Sequence, residues 1–158
     1  MKKEKHAALR RNKESSMHLI ETELFQLELT VMLIDRRISA PENTLVNIKV
    51  FSDNFSADGS IHIDYKTVGL FASQLKHIYD TRRGTASISG VRDSRNYIEF
   101  RASSDQRIYV KGTLEAKGNS GFTQELNFEN GFERESFTSF VKDMYQTYAG
   151  AEEGIDAD

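Results

Sequence analysis

The sequence predicts an α+β domain: a single antiparallel sheet of about seven strands, in the order β3-α-β4-α, with two amphipathic helices packed on one face. Three observations predict it. Several short runs alternate apolar with polar residues, the period of a half-buried strand. Two longer segments carry their apolar residues on one stripe at helical spacing. The links between runs are short and rich in turn residues, so neighbouring strands should pair antiparallel.

Residues 1–22 read as a basic arm, and its first part, MKKEKHAALRRNKESS, has only Ala7, Ala8 and Leu9 to bury. Such a segment cannot offset its ordering entropy and is expected to be disordered. It serves as a nucleic-acid-binding arm or as a plain extension, with Met17 as an alternative start. The domain proper is placed at residues 23–148. Its first strand runs from Glu23 to Ile34, where Phe25, Leu27, Leu29, Val31 and Leu33 alternate with Gln26, Glu28 and Thr30. A connector with the single proline, Pro41, follows.

The stretch from Leu45 to Gly90 organises the rest, which repeats or covers it. Val46, Ile48 and Val50 form one strand, and Ile61, Ile63 and Tyr65 the next. Asp58-Gly59 between them suits a type I′ hairpin turn. Thr67 is placed to cap a helix whose stripe is Val68, Phe71, Ala72, Leu75, Ile78 and Tyr79. A strand ending at Gly90 follows that helix, and further strands centre on Ile98 and Phe100, on Ile108 to Leu114, and on Phe122 to Phe128, with Asn130-Gly131 closing the last. Gly118-Asn119-Ser120-Gly121 is the strongest loop signal. A second helix begins near Glu133 to Ser136, with the stripe Phe137, Phe140, Val141, Met144 and Tyr148. Residues 149–158 read as an acidic disordered tail.

Composition narrows the function. The 158 residues carry a net charge of −3 and no cysteine, so thiol nucleophiles, disulfides and cysteine-ligated zinc are excluded. No run approaches a membrane span, and a cytoplasmic location with no membrane partner is expected. Charge is unevenly spread: Lys76 to Lys111 holds eight bases against four acids, and Glu115 to the end ten acids against three bases. The Arg-rich middle, Arg82 to Arg107, could bind an anionic ligand. A nucleic-acid module would usually be basic overall, so nucleic acid is the alternative rather than the first reading.

No constellation points to catalysis. His62 and Asp64 share a strand face and could start a metal site, but no third ligand has suitable spacing. No serine stands in a nucleophile elbow, and no glycine loop opens a helix to cradle phosphate. The sequence therefore predicts no enzyme, no catalytic residue, no metal and no cofactor. What remains is a broad polar face for a partner, with Asn47, Lys49, His62, Asp64, Glu99, Arg101, Lys111, Glu115, Glu125 and Glu129 as candidate partner-binding residues. The sequence leaves the oligomeric state open.

The segments VFSDNFSADGSIHIDY, LFASQLKHIYDTRRGTASISG, YVKGTLEAKG and QELNFE, followed by the terminal amphipathic helix, resemble the WapI-type immunity-protein family of bacteria. The resemblance spans roughly residues 24–148. Ile61-His62-Ile63 stands where that family often has a tryptophan. The resemblance implies a non-catalytic protein that binds and neutralises a cognate toxin; it transfers no individual functional residue.

Overall fold

The computed structural model describes residues 15–34, 43–91 and 95–150. Among them, eight strands and two helices follow in order. The first repeat is β1 (Ser15–Glu21), β2 (Phe25–Leu33), β3 (Thr44–Ser52), β4 (Phe55–Ile63) and α1 (Tyr65–Thr81). The second is β5 (Thr85–Ser89), β6 (Tyr97–Ala102), β7 (Arg107–Lys117), β8 (Thr123–Glu133) and α2 (Arg134–Tyr148). Each set of four strands forms its own antiparallel sheet in sequential order, β1-β2-β3-β4 and β5-β6-β7-β8.

This corrects the single sheet of about seven strands. Alternation and turns specify each hairpin, but they do not specify whether β4 continues into β5. The helix between them carries the chain away, and β5 pairs with β6. The strand count also rises by one. Ser15–Glu21, assigned above to the basic arm, pairs along its whole length with β2, from Ser15↔Met32 to Glu21↔Gln26. Its period was hidden because His18 and Ile20 point inward while Met17 and Leu19 point outward, so polarity does not alternate. Residues 1–14, the connector 35–42 and the tail 151–158 lie outside the described residues.

The two halves repeat one order of elements, four strands followed by a helix. The α1 stripe residues Val68, Phe71, Ala72, Leu75 and Tyr79 recur 69 positions later as Phe137, Phe140, Val141, Met144 and Tyr148. All ten are buried except the partly buried Tyr79. α1 lies against β5 and β6 of the other repeat, α2 lies against β1 of the other repeat and β7 and β8 of its own, and the helices pack on each other. At their contact the Arg134 guanidinium sits 3.9 Å over the Tyr79 ring, and its Nε donates to the Tyr79 carbonyl at 3.0 Å.

The second helix starts within the expected Glu133 to Ser136, whereas the cap of α1 differs from expectation. Asp64, not Thr67, caps α1, its carboxylate accepting from the Lys66 N–H at 3.0 Å. Arg82 ends the helix in the left-handed conformation, φ 59°, with its N–H on the Ile78 carbonyl. The turn between β3 and β4 falls at Asp53-Asn54, where Asp53 has φ 57°. Asp58-Gly59 lies within β4 and pairs with Lys49 and Ile48. Likewise β8 runs through Asn130-Gly131 to Glu133.

The apolar faces of both sheets and both stripes form one core. Aromatic rings dominate its centre, with Phe137 packed 5.4 Å from Phe100 and 6.0 Å from Phe140 between ring centres. Phe25 of β2 stacks on Phe128 and Phe132 of β8, tying one sheet to the other. A polar tie holds β1 to α2. Buried His18 is hydrogen-bonded through Nδ1 to the Asp143 carboxylate at 2.5 Å and through Nε2 to the Tyr148 hydroxyl at 2.6 Å. Burial pushes the Tyr148 phenol well above the ordinary tyrosine range.

Candidate partner-binding face

The polar faces of the two sheets carry the candidate residues, and strand register decides which of them meet. On the first sheet β2, β3 and β4 align Glu28, Lys49 and Asp58 in one row and Thr30, Asn47 and Ser60 in the next. Ser60 Oγ donates to Asn47 Oδ1 at 2.6 Å. These six side chains floor an open cleft of about 630 Å³, whose far wall is Glu115 and Ala116 at the end of β7.

The wall stands where it does because of Asn96, a buried residue just before β6. Its Nδ2 donates to the Ser60 carbonyl at 2.9 Å, and its Oδ1 accepts from the Glu115 N–H at 2.6 Å. One amide thus clamps the edge strand β4 of the first sheet to β7 of the second. The absence of a side chain at Gly59 permits the approach: a Cβ there would lie 3.0 Å from Asn96 Nδ2 and 3.1 Å from Leu114 Cδ2. Asn96→Ala is expected to cost about 1–3 kcal/mol, since it strips a buried N–H and a carbonyl of their partner. Denaturant unfolding checks this, and a loss under about 0.5 kcal/mol would show that the clamp does not hold the sheets.

On the second sheet Glu99, Lys111 and Glu129 align in one row, with Lys111 Nζ 3.4 Å from Glu99. Arg101 lies 4.7 Å over the ring of Tyr109 in the adjoining row. The Tyr109 hydroxyl donates to Asp105 at 2.6 Å. That bond holds the Asp105 carboxyl below its usual range, helped by the Arg107 N–H, and raises the Tyr109 phenol. Arg95 stands between Glu115 and Glu125, at 3.8 and 3.4 Å.

The structure therefore groups Asn47, Lys49 and Glu115 around the cleft. It groups Glu99, Arg101, Lys111 and Glu129 on the second sheet, and brackets Glu115 and Glu125 with Arg95. His62 and Asp64 stay apart from these groups. His62 is exposed near the end of β4 opposite Leu45, and Asp64 is engaged in capping α1. Among the described residues no three His, Asp or Glu side chains gather as metal ligands. No described helix is long and apolar enough to cross a membrane.

Sequence reasoning misses Asn96, whose role is non-local, and Ser60, and it reads Asp58 as part of a turn. Several arginines of the basic middle are engaged within the fold. Arg82 donates to Gln106, Arg107 donates to the Gly131 carbonyl at 3.1 Å, and Arg95 and Arg101 have the partners above.

No family model and no curated protein matches the chain. Among solved structures, WHY1 from Arabidopsis thaliana is similar at 8% identity and a TM-score of 0.46, over 90% of this chain and 96% of that one. That degree of likeness carries neither fold nor function across.

Proposed function

We propose that this is a non-catalytic protein-binding domain, an immunity protein that neutralises a cognate bacterial toxin by occupying it. The observation that carries the reading is the make-up of the cleft and its rim. A rigid sheet presents both signs of charge in register, Glu28–Lys49–Asp58, beside amide and hydroxyl groups. Phe51, two residues beyond Lys49 on the same face, and Leu24 at the neighbouring turn are exposed apolar anchors. Apolar anchors beside a polar, hydrogen-bonding surround are the composition of a protein–protein contact. The resemblance to WapI-type immunity proteins supports a toxin as that partner. Acids outnumber bases around the cleft, which favours a basic surface on the toxin and a salt-sensitive association rate.

Co-expression with the product of the adjacent gene tests this. Rescue of growth from a toxic neighbour is the expected result, and Lys49→Glu together with Phe51→Ala should abolish it while the protein remains folded. A neighbour that is harmless, or that kills regardless, overturns the reading. A gel shift with RNA or DNA at low salt would then favour an anionic-ligand module.

A further inference from the structure

The repeated topology supplies an internal control for the edges of the two sheets. β1 and β5 are the first strands of their repeats, and each lies at the edge of its sheet. Each has the other repeat's helix beneath its inner face. β5 turns Thr85, Ser87 and Ser89 outward, the usual polar choice for an edge in water. β1, in the equivalent place, turns out Met17 and Leu19, which are 58% and 38% exposed. It carries no lysine, arginine or proline to discourage pairing, and among the described residues no strand pairs with its outer edge.

We propose that β1 is the seam of a homodimer, in which the β1 strands of two copies pair antiparallel across a two-fold axis and join two four-stranded sheets into one of eight. The strand is self-complementary in that arrangement. With the axis at His18, Met17 of each copy faces Leu19 of the other on the outer surface. Glu21, the strand's one acidic residue, falls opposite Ser15, so no two carboxylates oppose each other. The backbone N–H and C=O groups along both edges find partners, which is the general basis of strand addition. Because β4 is at the opposite edge of the sheet, both clefts stay open at the two ends of the joined sheet. Seven residues a side make a small seam, so the dimer is concentration-dependent.

Sedimentation velocity on the full chain, from about 1 to about 300 µM, tests the seam without reference to any toxin. The expected result is a shift from the 18.0 kDa monomer towards twice that mass. Leu19→Lys, which places a charge on the outer seam, should weaken the dimer at least about tenfold and leave the thermal midpoint nearly unchanged. Ser87→Lys, the corresponding change on β5, should leave the dimer intact. A monomer at every concentration overturns the proposal. A dimer equally sensitive to both lysine variants places the contact elsewhere and likewise overturns it.

Discussion

Phe137→Ala is expected to destabilise the protein by about 3–5 kcal/mol, the largest effect of any single truncation in the core. Phe137 is wholly buried near the start of α2, where four other rings surround it. Phe100 of β6, Phe132 of β8, Phe140 of its own helix and Tyr79 of α1 lie with ring centres 5.4 to 6.5 Å away. The side chain therefore joins the second sheet, its own helix and the helix of the other repeat. Removing it takes out ring–ring contacts as well as buried area, and rigid sheet residues on two sides cannot collapse into the space. For a chain of this size the change corresponds to a fall in Tm on the order of 10 °C. Phe137→Leu, which keeps most of the volume, should cost under about 1.5 kcal/mol and serves if the alanine variant does not fold. A loss of less than about 1 kcal/mol for the alanine variant would mean that the two halves do not share this core.

Gly112→Ala is expected to cost about 3 kcal/mol, through overpacking rather than through backbone strain. Gly112 pairs with Ile98 on one side and Phe128 on the other, in the middle of the second sheet. A Cβ there would stand 2.4 Å from the Tyr97 carbonyl oxygen and 2.8 Å from Phe128 Cζ. The first is backbone of a paired strand, and the second belongs to a ring stacked on Phe25. Neither neighbour can give way without shifting the contact between the sheets. Gly121 provides the contrast: its φ is +85°, but a Cβ would meet nothing within 4 Å. Alanine there should cost only the left-handed penalty, about 1 kcal/mol. Chemical denaturation of the two variants separates the causes, and equal losses would refute the steric explanation.

Much of the local structure could be read directly. Val68, Phe71, Ala72, Leu75 and Ile78, and Phe137, Phe140, Val141, Met144 and Tyr148, were placed on helix stripes and are all buried. The same spacing holds the offset of 69 residues between the two stripes, which sharpens the coarse repeat read from the order of strands and helices. The candidate face was legible as a set of outward positions, since Asn47 and Lys49 fall between Val46, Ile48 and Val50. Its division into a cleft, a charged row and two separated residues was not. Asp58-Gly59 resembles a hairpin turn by composition, and only the approach of Asn96 and Leu114 explains a glycine inside β4. β1 was unreadable for the opposite reason, since an edge strand with Met17 and Leu19 outward does not alternate in polarity.

The sequence by itself determined the periods, and hence which side of each strand and helix is apolar, because side-chain direction depends only on local backbone geometry. Only the tertiary structure decided that eight strands close into two sheets rather than one, that each helix reaches the first strand of the other repeat, and that one buried asparagine bridges β4 to β7 beside the cleft. Those outcomes depend on backbone groups that are chemically alike in every strand. Which of them pair is settled by the total burial of the assembled core, to which residues far apart in the chain contribute together.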